Sequence, residues 1–256
     1  VKRIRVETVN GIGRLTLARP EKKNALDELA ATELGDALDA FAADDAVRAV
    51  LLGADGRDFC AGADLAALER AIDADPGAQH RDAEALGNVF RKMRRLPQPV
   101  VAAVRGRALA GGAGLATACD IVLASDEARF GYPEVGVGFV PAMVMTMLRR
   151  AAGEKRAFEL VATARVIDAR EALSIGLVSS IVSESNFEAE VEAVVTRLAK
   201  APPAALRLTK RLFYDLDSLD FDAGISLGER VNVEARATSE FRDGVRRFVA
   251  RGKGDS

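Results

Sequence analysis

The chain is poor in the residues from which much catalytic machinery is built. Among its 256 residues there is one histidine, there are two cysteines, and there is no tryptophan. His80 lies in the polar stretch Gly77-Ala78-Gln79-His80-Arg81-Asp82 and reads as a surface residue. With a single histidine and no G-x-S-x-G turn, Ser-His-Asp chemistry has no support, and a histidine-based metal site has none either. Cys60 and Cys119 are too few for a disulfide framework and lack metal-ligand spacing, which suits a reduced, cytoplasmic setting. The formal net charge of -2 provides no basic field for a polyanion, so Arg94-Arg95 and Arg246-Arg247 read as solvated helix faces and no nucleic acid partner is expected. No apolar run approaches the roughly 18 residues that span a bilayer. The segment from Val1 to Val9 alternates like a strand and does not resemble a signal peptide, although a chain opening on Val1 leaves room for an upstream targeting segment. The glycines at 106, 111, 112 and 114 form neither a Walker loop nor G-x-G-x-x-G, which argues against nucleoside triphosphate or NAD chemistry.

What is present points to an α/β architecture. Ile4, Val6 and Thr8 read as one strand and Arg14 to Ala18 as the next, after a glycine-containing turn at 10–13. Leu26 to Phe41 carries apolar residues at helical spacing. Val47–Leu52, Val100–Val104 and Ile121–Ala124 are short apolar runs suited to buried strands. Beyond about Pro141 the pattern is mostly helical, with one last strand over Leu177–Val182. Asp168 with Glu171 resembles a capping box closed by Gly176, Pro202-Pro203 opens a helix running to Asp215, and Thr238 caps the final one. There is no fixed-period repeat. A weak boundary near 200–203 divides a core (1–199) from a C-terminal helical region (200–256), which must dock on the core or on another subunit.

Two turns and one glutamate remain as candidate chemistry. Phe59-Cys60-Ala61-Gly62-Ala63-Asp64-Leu65 follows one strand, and Gly106 to Leu115 follows another. Each passes from strand to helix through residues small enough for close backbone approach, and a helix N-terminus offers unpaired amides to an oxyanion. Taken singly, either turn reads more readily as close strand–helix packing, because glycine-rich turns are common. Glu134 follows Pro133 and precedes Val135, Val137 and Phe139, so a partly dry environment with a raised pKa is expected.

With these residues in view, the sequence resembles the enoyl-CoA hydratase/isomerase (crotonase) family along nearly its whole length. The resemblance runs through Arg19-Pro20-Glu21-Lys22-Lys23-Asn24-Ala25-Leu26, Phe59 to Leu65, Ala108-Leu109-Ala110-Gly111-Gly112, Ala118-Cys119-Asp120 and Arg129-Phe130-Gly131-Tyr132-Pro133-Glu134. It continues through Gly153 to Ala157 and Ala169 to Val178. The resemblance implies a crotonase-like superhelix of ββα turns with a C-terminal helical trimerisation region, assembled as a homotrimer or homohexamer. It implies an acyl-CoA thioester substrate of fatty acid metabolism, with coenzyme A as part of the substrate and no separate cofactor or metal. It further implies that the Ala63 and Gly111 amides hold the thioester oxygen, that Glu134 is the acid/base, and that CoA lies near Ala61, Asp64, Leu65, Lys22 and Lys23.

One departure stands out. Typical hydratases of the family use two glutamates, and the first falls here at Gly114, which the resemblance places among the substrate-binding positions. Glu69 and Glu84 are other carboxylates that could replace it, while Val135 to Leu148 contains no Asp or Glu for dienoyl isomerisation or dehalogenation. The resemblance favours an enoyl-CoA hydratase. Alternatives are a 3-enoyl to 2-enoyl isomerase, a hydratase of a branched substrate such as methylglutaconyl-CoA, or a non-catalytic acyl-CoA- or RNA-binding relative. Met143, Met145, Met147 and Phe139 suit an acyl pocket or plain core, and Arg129 or Arg149 could meet a carboxylated acyl chain.

Overall fold

The computed structural model describes residues 2–252, the last two by backbone alone; Val1 and 253–256, the outermost residues of the two expected regions, lie outside it. Nine strands are described: β1 (Ile4–Val9), β2 (Ile12–Leu17), β3 (Ala49–Ala54), β4 (Val100–Val104), β5 (Arg107–Leu109), β6 (Ile121–Ser125), β7 (Arg129–Gly131), β8 (Val166–Asp168) and β9 (Ser180–Val182). They form a six-stranded sheet in the order β1-β2-β3-β4-β6-β9 and a small sheet in the order β5-β7-β8. The helices are α1 (Glu28–Ala43), α2 (Leu65–Ile72), α3 (Pro76–Arg95), α4 (Gly111–Ala118) and α5 (Val144–Thr163), then α6 (Ala169–Ser174), α7 (Phe187–Lys200), α8 (Pro203–Asp215), α9 (Phe221–Arg236) and α10 (Ser239–Gly252). None is long and apolar enough to cross a membrane, among the described residues.

The large sheet is parallel except for the β1–β2 hairpin, whose turn residues Asn10 and Gly11 have φ of 53° and 77°. Positive φ at both positions gives a turn whose twist matches that of paired strands. Alternation along β3 divides the core between the two faces of the sheet. Val50 and Leu52 pack with Leu34, Leu38 and Phe41 of α1, whereas Ala49 and Leu51 pack with Phe187, Val191 and Val195 of α7. A strand covered on both faces reads as a continuous apolar run, which is why this one was visible in the sequence.

Several expectations agree with the structure to the residue, including the strand over Val100–Val104 and the helix ending at Asp215. Others shift. The helix expected from Leu26 starts at Glu28, because the Asp27 side chain accepts from the Ala30 amide at 2.9 Å and fixes the cap there. The strand expected over 47–52 runs over Ala49–Ala54, and the one expected from Leu177 starts at Ser180. Asp168 accepts from the Glu171 amide at 2.8 Å, and Thr238 accepts from the Phe241 amide at 3.2 Å, so both cap as expected. The C-terminal helices touch the core through few fully buried side chains. Lys210 is the buried residue of α8 and Val231 that of α9, while Phe213, Phe221, Val233 and Phe248 stay exposed.

Candidate active site

Three chain segments run side by side toward one place. Cys60 forms a parallel bridge with Ala108, and Ala108 pairs in parallel with Phe130 between β5 and β7. Three residues further along the first two segments lie Ala63 and Gly111, and four further along the third lies Glu134. Parallel neighbours stay about 5 Å apart, so the two candidate amides and the candidate carboxyl all follow the same end of these pairings. The two turns meet closely. A β-carbon on Gly62, whose φ is 96°, would lie 2.8 Å from the Ala110 β-carbon and 3.6 Å from the Gly111 nitrogen. Gly112 must be equally small, because a β-carbon there would lie 2.6 Å from Cys60 Cβ and 2.7 Å from its sulfur.

Both amides are left free by the backbone around them. Leu26 bridges Ala63 in parallel: the Leu26 amide donates to the Gly62 carbonyl at 2.7 Å, and the Asp64 amide donates to the Leu26 carbonyl at 2.8 Å. These bonds leave out the amide of Ala63 itself, which sits on an exposed residue. Gly111 is the first residue of α4, where an amide has no acceptor within the helix and carries the positive end of its dipole. Among the described residues neither amide donates a hydrogen bond. Ala110, just before, adopts φ 50° and ψ -124°, a strained conformation for an L-residue of the kind that gathers at functional sites. It is secured by its own amide, which donates to the Gly131 carbonyl at 2.8 Å.

Glu134 sits in a short 3-10 turn, Pro133–Val137, closed by Gly138 in the left-handed region. It is half-buried, and one carboxyl oxygen, Oε2, is buried without a hydrogen-bond partner. Burial holds its pKa above the usual carboxylate range, against a smaller opposing effect from its own amide. Behind it the buried Tyr132 hydroxyl lies 3.1 Å from the Thr117 hydroxyl, which donates to the Ala113 carbonyl at 2.7 Å. Burial pushes the Cys60 thiol up to about 12, so it stays protonated and is no nucleophile near neutral pH.

The residues expected around CoA lie together beside Ala63. Lys22 and Lys23 form an exposed turn, and the Lys23 carbonyl accepts from the Ala61 amide at 3.0 Å. Leu65 opens α2 with its side chain exposed. Asp64 occupies the expected place, but its carboxylate points inward: it caps α2 and pairs with Arg19, and it is only 7% exposed. Gly114 differs from expectation. It is buried, and a β-carbon there would overlap Val144 Cγ1 and lie 3.2 Å from Phe90 Cζ. The position expected to line a substrate is packed solid against α5 and α3. Glu69 and Glu84 are exposed on α2 and α3. One turn before Leu86, which approaches Gly111, α3 carries Asp82, a residue the sequence reading did not single out; burial and then the nearby Glu28 and Asp27 raise its pKa. Arg129 donates to the carbonyls of Glu127 and Ala128 at the start of β7, the end away from Glu134, and Arg149 is exposed and paired with Glu154. Met143 and Met147 pack against the core, while Met145 and Phe139 are exposed.

Comparison with known proteins gives a consistent picture. The family model described as Enoyl-CoA hydratase/isomerase matches residues 7–255. A Thermus thermophilus protein named "Putative enoyl-CoA hydratase" is 43% identical over 229 residues, covering 90% of each chain. The Streptococcus mutans trans-2-decenoyl-[acyl-carrier-protein] isomerase is 31% identical, over 97% of this chain and 95% of its own. The crystal structure of an enoyl-CoA hydratase from Mycobacterium smegmatis superposes with a TM-score of 0.93 at 32% identity, covering 97% of this chain and 96% of that one.

Proposed function

The chain belongs to the enoyl-CoA hydratase/isomerase family, an α/β crotonase fold with C-terminal helices, and on that premise we propose that it adds water across the double bond of a 2-enoyl-CoA thioester. One observation carries this reading: two undonated amides, at Ala63 and Gly111, follow segments paired side by side with the one that leads to Glu134, a half-buried carboxyl whose Oε2 has no partner. Amides fixed in place suit a carbonyl oxygen that gains charge, because they need no reorganisation when the charge arrives. In this mechanism ionised Glu134 takes a proton from water as the water oxygen bonds to C3. The π electrons of the double bond shift toward the thioester oxygen, held by the two amides. The resulting enolate then takes the proton back from Glu134 at C2, and the carboxylate is restored. A carboxyl held above its usual range is suited to both transfers near neutral pH. CoA itself would pass Ala61, Leu65 and the Lys22-Lys23 turn.

A second reading, isomerisation of a 3-enoyl to a 2-enoyl thioester, is favoured by the packing of Gly114. With Val144 filling that position, Glu134 has no partner carboxylate there, and proton shuttling between C4 and C2 requires only one. Ultraviolet absorbance of the conjugated enoyl thioester separates the two, since hydration consumes it and isomerisation creates it. Assayed over straight and branched 2-enoyl- and 3-enoyl-CoAs, wild-type enzyme should deplete it, and Glu134→Gln should lower kcat by about 10²–10⁴. Full activity in Glu134→Gln refutes the acid/base assignment; absence of turnover with every substrate favours a binding relative.

The C-terminal helices support assembly into a homotrimer or homohexamer. α8 and α9 enclose a groove of about 850 Å3 lined by Leu212, Leu216, Phe221 and Ile225. An apolar groove of this kind, beside the exposed Phe213 and Val233, suits burial against other copies of the chain.

A further inference from the structure

The bridge that frees the Ala63 amide is isolated, with no ladder on either side to hold its register. A single guanidinium spans it from behind. Arg19 donates through Nη1 to Asp27 Oδ2 and through Nη2 to Asp64 Oδ2, both at 2.8 Å, with a longer contact of 3.4 Å from Nη1 to the Ala25 carbonyl. Asp27 and Asp64 are the residues that directly follow the two bridge partners, Leu26 and Ala63. Each aspartate therefore divides its oxygens. Oδ1 of Asp27 caps α1 and Oδ1 of Asp64 caps α2, while each Oδ2 turns to Arg19. Arg3 also reaches Asp27 Oδ2, at 2.9 Å.

Arg19 is itself fixed. Its amide donates to Asn24 Oδ1 at 2.8 Å, and Asn24 Nδ2 donates to the carbonyls of Asp58, at 2.8 Å, and Asp55, at 2.9 Å, on the loop leading to Cys60. The Arg19–Asp64 pair is buried, with Arg19 only 9% exposed. Charge-assisted bonds are short and directional in such surroundings, and a planar fork can meet two carboxylates where an ammonium cannot keep both in line. Burial alone would raise the Asp64 pKa, yet the pairing with Arg19 and the Ala67 and Ala66 amides hold it below the usual range.

We propose that Arg19 is a positioning residue for the reaction: by tying Asp27 to Asp64 it fixes the register of the Leu26–Ala63 bridge, and so the direction in which the Ala63 amide meets the thioester oxygen. This inference rests on the two-amide reading above. Hydrogen bonds weaken steeply as they bend, so a small rotation of this peptide would weaken oxyanion stabilisation without removing any group that touches substrate.

The test uses Arg19→Lys, which keeps the charge but not the fork, and Asp64→Asn, which keeps the α2 cap but not the ion pair. Three readouts are taken with the full chain. They are kcat and KM for trans-2-butenoyl-CoA, the infrared carbonyl stretch of bound butanoyl-CoA, and the affinity of S-butyl-CoA, a thioether without the oxygen. Both variants should lose kcat by about 10- to 100-fold, less than the 10²–10³ typical of a wholly lost donor, with KM within about threefold. Their bound thioester carbonyl should shift back toward its solution frequency, with thioether affinity unchanged. A purely structural role would lower the melting temperature and leave the carbonyl frequency of the folded fraction at its wild-type value, and that result overturns the inference alone. A wild-type protein that leaves the carbonyl at its solution frequency overturns the two-amide reading and this inference with it. Should Arg19→Lys fail to fold, Asp64→Asn carries the same comparison.

Discussion

Replacing Gly114 by alanine should destabilise this protein, although the same change in most helix interiors is stabilising. Gly114 lies inside α4, where alanine is normally favoured over glycine by about 1 kcal/mol. Here the added β-carbon would overlap Val144 Cγ1, with Val144 Cβ at 3.1 Å and Phe90 Cζ at 3.2 Å. Val144 and Phe90 are both buried, so neither can swing into solvent. Overpacking of such a site costs about 1–3 kcal/mol. The two effects leave a net loss of up to about 2 kcal/mol, or about 2–4 °C in Tm for each kcal/mol in a chain of this size. Differential scanning calorimetry of Gly114→Ala, Val144→Ala and the double variant reads this directly. Shrinking Val144 should remove most of the penalty, giving a coupling of about 1 kcal/mol within the range known for touching residues. A Gly114→Ala protein that melts above wild type would refute the packing account. Gly114→Glu is harsher, since it would also bury a carboxylate without a partner. Installing the family's usual first glutamate should therefore disrupt α4–α5 packing before it could contribute to hydration.

Glu134→Gln should raise Tm slightly at neutral pH while lowering kcat by the same factor of about 10²–10⁴. Burial raises the native pKa of Glu134 above its unfolded value, so the native state binds the extra proton, and stability falls as pH rises through the native pKa. A stability–pH curve in which wild type and Glu134→Gln converge at low pH and separate above the carboxylate range would show it; parallel curves would not. Gly111→Pro, which deletes one oxyanion amide, should lower kcat for enoyl-CoA by at least about 10², with a smaller effect on CoA affinity by calorimetry. Lys210 donates from α8 to the carbonyls of Met93 and Gln98, each at 2.9 Å, and to Asp120 at 2.7 Å. Lys210→Met removes the cation paired with Asp120, which keeps only its bonds from the Val100 amide and the Tyr214 hydroxyl, and should cost about 3–5 kcal/mol in urea denaturation. Phe221→Asp, placed on the exposed face of α9, should reduce the assembly measured by sedimentation; an unchanged larger species would show that this face is not the contact.

Much of this fold was legible because the buried strands carry their signal in every residue. Val100–Val104 is buried at four of five positions and could be read to the residue. Of the segment 65–95, only the entry into a helix after the first turn was legible, not the extents of α2 and α3. α2 buries no side chain, and α3 buries only Val89, Phe90 and Met93 near its end, so their periodicity has little tertiary cause. The strands of the small sheet are three residues each, too short for alternation to show. In the candidate site, Glu134 and the two turns stood out by residue type and motif. Gly114 did not read correctly, because a missing side chain looks the same in sequence whether its space is open or filled by Val144. Arg19 was noticed only as part of a motif. Its partners Asp27 and Asp64 are 8 and 45 residues away, and only the fold makes them neighbours.

The candidate oxyanion site is made mainly of backbone, and that determines which substitutions should matter. Ala63 and Gly111 contribute no functional side chain, so their contribution depends on where the neighbouring chain holds them. For Gly111 the restraint is steric: Gly62 and Gly112 let the two turns close, and the strained Ala110 is held by the Gly131 carbonyl. For Ala63 it is electrostatic, through two aspartates that share one guanidinium. The two supports should therefore fail differently. Enlarging Gly112 forces α4 away from Cys60, which should disturb the Gly111 amide and the α4–α5 packing together, lowering stability and kcat in parallel. Weakening the Arg19 pair through Asp64→Asn leaves both helix caps in place, so kcat should fall by more than stability does. If Gly112→Ala and Asp64→Asn instead lose kcat in the same proportion to their loss of Tm, then the two amides are sensitive only to global stability, and the separate supports described here have no functional meaning.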